Sequence, residues 1–239
     1  MDEIKAKGLK KVLNDLNSTE VKNYWKVTGT NDETFPYLLI DKWYNPEELE
    51  GIWKELDFYQ SCPDHHQVRT EDRQTPVARE LDGLSRSSAY RFHLWDVYSQ
   101  NSKGYHYSHI LRCRYKQRSP EFHKLVEKHL PIHFLSFAGT NTDGTMVSYY
   151  EDGDYYKPHI DSMMFTCLIW VFKEPKQFKG GEFNLPQAGV TIPMKNNRMI
   201  LFPSYYTHAV NPVKFDGEKN QGLGRYTITH FYNWEGRND

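Results

Sequence analysis

The sequence predicts a mainly β fold with flanking helices, its core a sandwich or barrel with the jelly roll as the obvious form. Three observations predict it. From Thr145 onward, short runs rich in Val, Ile, Phe, Tyr and Thr alternate with turn residues. Before Thr145, apolar residues recur at helical spacing in several segments. The chain also carries 17 Tyr, 13 Phe and 6 Trp, residues that favour strands and fill a core.

The elements follow in order. Residues 3 to 17 read as a helix, with Ile4, Leu9, Val12, Leu13 and Leu16 on one stripe. Phe35 to Ile40 reads as a strand. Asn45-Pro46-Glu47-Glu48 is a helix start, with Asn at the cap, Pro at the first position and acids in the first turn. That helix is expected to run to about Phe58 and to bury Leu49, Ile52, Trp53 and Leu56. Residues 59 to 90 are polar and read as a long loop. Arg112, Arg114, Lys116 and Arg118, with Tyr115 among them, read as one solvated face of a strand or as a patch for an acidic or nucleic-acid partner. Ser119-Pro120-Glu121 opens another helix, to about His129. Strands are then expected at 145–150, 163–172, 181–185, 189–192, 198–203, 207–210 and 224–233. Asp152-Gly153-Asp154, Gly180-Gly181 and Lys195-Asn196-Asn197 punctuate them. The whole chain, 1–239, reads as one domain: 1–140 as helical support and substrate-side segments, 141–239 as the core that carries the chemistry.

Composition narrows the function classes. Lys and Arg total 30 against 31 Asp and Glu, which argues against a nucleic-acid or charged-membrane partner. Cys62, Cys113 and Cys167 are odd in number and far apart, so no disulfide framework is implied. Met1 to Lys7 has no apolar signal core, and the longest apolar run, Met163 to Phe172, is too short to span a bilayer. A reducing, cytoplasmic location is the expectation. Oligomeric state is not legible.

The chemistry concentrates in three residues. His159 and Asp161 sit in Asp154-Tyr155-Tyr156-Lys157-Pro158-His159-Ile160-Asp161, and His208 follows Leu201-Phe202-Pro203-Ser204 after a short turn. Two imidazoles and a carboxylate make the facial triad of a non-haem Fe(II) site, with open positions for a cosubstrate and dioxygen. Residues two apart on a strand share a face, so His159 and Asp161 are expected to point together into a barrel while His208 arrives from a neighbouring strand. Arg225 follows in a strand-like run. Its planar fork suits the far carboxylate of a dicarboxylic acid, which points to 2-oxoglutarate.

From Thr145 to Trp234 the chain resembles the prolyl 4-hydroxylase-like branch of the Fe(II)/2-oxoglutarate dioxygenases, a branch that includes bacterial and phage relatives of the oxygen-sensing prolyl hydroxylases. The resemblance rests on Ser148-Tyr149-Tyr150, Gly153 to Asp161, Thr166-Cys167-Leu168, Gly180-Gly181-Glu182-Phe183, Asn197 to Ser204, His208-Ala209-Val210 and Gly224 to Thr229. It implies a double-stranded β-helix, a cupin-like jelly roll. It also implies Fe(II) as the metal, held by His159, Asp161 and His208, with 2-oxoglutarate as cosubstrate and dioxygen as oxidant; ascorbate is the implied reductant. Arg225, helped by Thr227, would meet the C5 carboxylate of 2-oxoglutarate. Tyr150 falls near the cosubstrate or packs as a strand aromatic, and Thr166 lines the same pocket or is structural. Trp170 stands where close relatives have a second tyrosine for that carboxylate, so this contact is a departure from the pattern. The polar insert Lys214 to Gly222 is a second departure, either a flap over the site or a longer loop.

The leading expectation is hydroxylation of proline in a peptide or protein. The alternatives are a free amino acid, another small metabolite or a nucleobase as substrate, or a silent jelly-roll binding protein. A peptide substrate predicts an open groove fringed by residues 59–90 and 103–118; a small metabolite predicts a closed pocket. Asp64-His65-His66 lacks the acidic partners of a metal phosphoesterase. His106 and His109 lack a cysteine or acid to complete a metal site, and His230 reads as core.

Overall fold

Strict alternation along the longest strands gives the main sheet two different faces. On β-strand positions Val147, Tyr149, Cys167, Ile169, Met199, Leu201, Tyr226 and Ile228 the side chains join one large apolar cluster. Their neighbours Leu168, Trp170, Ile200 and Phe202 join a second cluster on the opposite face. A computed structural model shows this arrangement, describing residues 25–27, 34–62, 68–73, 75–94, 98, 107–217 and 222–236.

In chain order the strands are β1 (Lys26–Val27), β2 (Leu38–Asp41), β3 (Val68–Arg69), β4 (Ser87–Ser88), β5 (Tyr90–His93), β6 (Thr142–Tyr150), β7 (Tyr155–His159) and β8 (Phe165–Val171). They continue as β9 (Phe178–Gly180), β10 (Phe183–Leu185), β11 (Val190–Ile192), β12 (Arg198–Pro203), β13 (His208–Val210), β14 (Val213–Phe215) and β15 (Arg225–Asn233). The α-helices are α1 (Pro46–Ser61), α2 (His109–Arg112), α3 (Pro120–His129) and α4 (Phe134–Ala138). The main sheet has eight strands in the order β1-β2-β12-β8-β15-β6-β5-β3. The second has five, β11-β10-β13-β7-β4, and β14 pairs separately with β9. Every pairing between these strands is antiparallel. Two facing antiparallel sheets with long crossings between them are the double-stranded β-helix, the jelly roll of the sequence expectation.

Helices cover the outer face of the main sheet. Ile52 and Leu56 of α1, Phe122 and Val126 of α3 and Phe137 of α4 are buried in the outer cluster. Each such side chain contributes about 1.5–3 kcal/mol by leaving water. α1 begins as its sequence dictates: the Asn45 side chain accepts from the Glu48 backbone N–H at 2.8 Å, and Glu48 accepts from the Asn45 N–H at 2.9 Å. Burial of Tyr59 against the ring of Phe92 carries this helix to Ser61, past the expected end at Phe58.

Several expectations are corrected. Residues 59–90 are not one loop, because they supply the end of α1 and the strands β3 and β4. These strands are two residues long, too short for any periodicity to register. Residues 1–140 are likewise more than helical support, since β1, β2, β3 and β5 extend the main sheet and β4 the second. The basic run at 112–118 is not a strand face but the end of α2 and a 3-10 turn, Cys113–Arg118. Three of its four cations find partners within the chain, whereas Arg112 is exposed beside His109. Lys116 donates to the Trp43 carbonyl at 2.6 Å and pairs with Glu48, Arg114 pairs with Asp143 at 3.1 Å, and Arg118 donates to the Thr140 carbonyl. The insert Lys214 to Gly222 begins within strand β14, and residues 218–221 lie outside the described residues. The expected helix at 3–17, Asp64-His65-His66 and His106 lie outside the described residues. Among the described residues no helix is long and apolar enough to cross a membrane.

Candidate metal and cosubstrate site

The second sheet brings the two histidines together. β7 and β13 pair antiparallel with His159 directly opposite His208, and the ring centroids lie 4.1 Å apart. Each ring is oriented by a local bond. Nδ1–H of His159 donates to the Lys157 carbonyl and Nδ1–H of His208 to the Tyr206 carbonyl, both at 2.9 Å. That tautomer leaves both Nε2 lone pairs free and turned toward Asp161. Tyr156 stacks flat on His159 at 3.5 Å between centroids and blocks rotation of that ring.

Asp161 reaches the same point by a different route from the one its spacing suggests. β7 ends at His159, so Asp161 lies beyond the strand and strand alternation does not aim it. Its backbone N–H donates to the Ser204 carbonyl at 3.0 Å, and the Thr166 hydroxyl donates to its Oδ2 at 2.7 Å. The Ser204 hydroxyl in turn lies 2.7 Å from that of Thr166. The resulting separations are 3.7 Å from His159 Nε2 to Asp161 Oδ1 and 3.4 Å from His208 Nε2 to Oδ2. Adjacent ligand atoms on one octahedral ion with bonds of about 2.1 Å sit about 3 Å apart, so small side-chain movements bring the three onto a single ion. Among the described residues, this is the one cluster of three or more such groups with metal-ligand spacing.

Electrostatics suits a cation. Burial, with the neighbouring His208, pulls His159 down to about 3, so its imidazole is neutral, the form that binds metal. Burial alone would push the Asp161 carboxyl up. Its interactions with His208, His159 and the Thr166 hydroxyl outweigh that burial and hold the carboxyl below the usual aspartate value.

Deeper in the barrel lies Arg225, fully buried on β15. Its guanidinium carbon stands 4.7 Å from the centre of the Tyr150 ring and 6.0 Å from that of Trp170. Its Nε meets the Met194 sulfur at 3.4 Å, but neither terminal nitrogen has a hydrogen-bond partner. Thr227 Oγ1 and the Trp170 indole nitrogen are also buried without partners. Burial lowers the Arg225 pKa from the usual arginine value, yet the group stays protonated because arginine does not give up its charge in proteins. The Tyr150 hydroxyl and the charge of Glu182 offset that burial only in part, and a buried cation without a hydrogen-bonded anion is costly. Gly181 makes room for it: at φ +73°, a Cβ there would come within 3.1 Å of Arg225 Cδ.

Two cavities join at the triad. The inner one is lined by His159, Asp161, His208, Tyr150, Arg225 and Thr227. An outer one of about 510 Å³ opens beside it, and the two share Arg91, Met146, Tyr156, Asp161 and Phe231. The structure therefore brings Tyr150, Arg225 and Thr227 to the triad. Thr166 stands behind Asp161 rather than lining the cavity, and Trp170 stands behind Arg225. Sequence reading missed Met146 and Phe231, although they continue the inward phase of Ser148-Tyr150 and of Arg225-Thr227-Thr229. It also missed Arg91, a charge set between Tyr90 and Phe92, which face the outer cluster. His230 is buried in the core with Nδ1 2.9 Å from the Thr145 hydroxyl.

Residues 145–233 match the 2OG-Fe(II) oxygenase superfamily. No curated protein matches the chain. Among solved structures it is similar to a prolyl-4-hydroxylase from Pseudomonas putida, 12% identical, covering 85% of this chain and 95% of that one with a TM-score of 0.53. It is also similar to an oxidoreductase of the 2OG-Fe(II) oxygenase family from Burkholderia pseudomallei, 12% identical, covering 83% and 85% with a TM-score of 0.50. At that identity the likeness is one of fold. The matched segment, 145–233, carries most of the double-stranded β-helix together with His159, Asp161, His208 and Arg225, and it is this part of the chain that is similar to the 2OG-Fe(II) oxygenase superfamily.

Proposed function

We propose that the protein is an Fe(II)- and 2-oxoglutarate-dependent hydroxylase of an aliphatic C–H bond, with proline in a peptide or protein as its substrate. The observation that carries the cosubstrate is Arg225: a buried guanidinium whose two terminal nitrogens lack partners needs an anion to complete it. Thr227, whose unpartnered hydroxyl lines the same cavity, completes a cradle for one carboxylate end of a dicarboxylate, with the Trp170 ring behind the guanidinium.

His159, Asp161 and His208 would hold Fe(II), which together with 2-oxoglutarate supplies the power to activate dioxygen. One oxygen atom goes to succinate as carbon dioxide leaves, and the other is inserted into the substrate C–H bond as hydroxyl. The chain's own part is placement. The carbonyls of Lys157 and Tyr206 fix the two imidazoles, Thr166 fixes one carboxylate oxygen of Asp161, and Arg225 anchors the far end of the cosubstrate. Leu168, Phe183 and Val210 wall the inner cavity and keep water from it. Ascorbate is the reductant we assign for keeping iron ferrous. A reducing cytoplasm suits this chemistry and the three free cysteines.

Support for a prolyl substrate is the apolar outer cavity, with Val77, Ala78, Met146, Met163 and Phe231 along its wall, and the fold shared with a bacterial prolyl-4-hydroxylase. The same cavity favours a second reading. Its volume of about 510 Å³ lies within the usual range for small-molecule pockets. The described part of 103–118 contributes nothing to its wall, so a free amino acid or other small metabolite is the alternative substrate. Succinate release tests both, measured with Fe(II), 2-oxoglutarate and ascorbate across prolyl peptides, free amino acids and oligonucleotides. Stimulation by prolyl peptides is expected. Stimulation by free amino acids alone would replace the prolyl reading, and no succinate under any condition would remove the oxygenase reading.

A further inference from the structure

Arg91 is a second buried cation inside the barrel, and the proposed hydroxylase chemistry gives it no task. It lies on β5, opposite Ser148 of β6, which is opposite Thr227 of β15. Arg91 therefore stands on the inward face, on the same rung as part of the Arg225 cradle. Its neighbours Tyr90 and Phe92 face the outer cluster, so the alternation of β5 delivers one charge, and no apolar side chain, to the interior. Only 7% of its surface is exposed.

Its bonding is incomplete. One terminal nitrogen donates to the Pro76 carbonyl at 2.7 Å, and the guanidinium carbon lies 5.4 Å from the Tyr156 ring centre. Its Nε is buried without a partner. Among the described residues no carboxylate pairs with it. The sole acid lining the outer cavity is Asp161, which is committed to the two histidines. Arg91 borders both cavities, and on the outer side it is the one cationic group, set among Val77, Ala78, Met146, Met163 and Phe231. A planar fork at the edge of an apolar pocket is the recognition element for a carboxylate on a mainly apolar molecule.

We propose that Arg91 determines substrate specificity by binding a carboxylate that the substrate carries into the outer cavity. The inference rests on the hydroxylase reading for the identity of that cavity as the substrate's. Two sources of the carboxylate share this chemistry: the main-chain carboxylate of a free amino acid or peptide C-terminus, and an acidic side chain next to the target residue.

Matched probes that differ only in charge test it. N-acetyl-L-proline is compared with its carboxamide, and N-acetyl-Pro-Glu-amide with N-acetyl-Pro-Gln-amide. Binding to the full chain is measured by calorimetry, first without additions and then with saturating Mn(II) and 2-oxoglutarate. In at least one pair the carboxylate is expected to bind about tenfold tighter or better, as a charged hydrogen bond in a partly dry site requires. The first pair points to a main-chain carboxylate and the second to a side chain. Arg91→Gln is expected to shrink the preference below about twofold, and Arg91→Lys to keep part of it. Equal binding within both pairs, no binding by any probe, or an Arg91→Gln variant that keeps the preference each overturns the proposal. So does a preference that vanishes once 2-oxoglutarate is present, since Arg91 would then serve the cosubstrate. The wild-type comparison needs no variant to fold. The oxygenase reading is judged apart from this, on 2-oxoglutarate binding at Arg225.

Discussion

Arg225 and Arg91 are both buried, both point into the barrel and both lack an acidic partner, yet their surroundings differ. Arg225 is sealed, with aromatic rings beside it and both terminal nitrogens idle. Arg91 stands where the inner and outer cavities meet, with one nitrogen already bound to the Pro76 carbonyl and its Nε free. A sealed fork suits a ligand that is the same in every turnover. A fork at the mouth suits the ligand that distinguishes one enzyme from another. The comparison separates the part of the site that defines the chemistry from the part that defines the target.

The largest effect tests what both arginines serve. His208→Ala is expected to lower succinate formation more than about 100-fold, since loss of even an outer partner of a metal ligand costs 10–100-fold. Retained turnover would remove the triad from the reaction. Next, Arg225→Met should weaken 2-oxoglutarate binding roughly 100-fold, the scale for deleting one member of a buried charged pair. The ligand-free variant should melt at the same or a higher temperature, because an unpaired buried charge has gone. A variant that binds the cosubstrate normally would erase the distinction between the two arginines. A smaller effect is expected of Thr166→Val. Losing the bond to Asp161 Oδ2 should weaken metal affinity about tenfold, with Thr166→Ser near wild type, as read by competition with a chelating dye.

The smallest effect lies on the outward face of β15, away from both cations. Burial, with the charge of Arg114, pulls His230 down to about 3 in the folded protein, whereas the unfolded chain takes up its proton near 6.5. Between those values the unfolded state holds the extra proton. Stability is therefore full above about 6.5 and falls as pH drops toward 3, by at most about 1.4 kcal/mol per pH unit from this group. His230→Phe should make the denaturant midpoint less steep in pH across that window. An unchanged slope would show that His230 is not buried neutral.

The sequence was legible where a strand is long and one of its faces is apolar. β6, β8, β12 and β15 carry six to nine residues each, and their alternation can be read directly. β3 and β4, at two residues, cannot be read that way. His159 and His208 were legible as types in a pattern, and so was Arg225. Asp161 was identified for the wrong geometric reason: contacts to Ser204 and Thr166, which are distant in sequence, hold it in place, and strand periodicity does not. The basic run at 112–118 looked like a solvated strand because every second residue is charged. Lys116, Arg118 and Arg114 instead find partners on α1, in the turn before β6 and on β6 itself, while Arg112 stays exposed beside His109. Arg91 was illegible because its strand has four residues and its meaning depends on a cavity assembled from β5, β6, β7 and β15.

The most direct measurement is an anaerobic titration of the Fe(II)-loaded protein with 2-oxoglutarate, followed by visible absorbance. A weak charge-transfer band that saturates in the wild type, and that needs roughly 100-fold more 2-oxoglutarate in Arg225→Met, is the predicted result. Folded, iron-loaded protein that shows no band at any concentration would contradict the assignment of His159, Asp161, His208 and Arg225 to one metal and cosubstrate site.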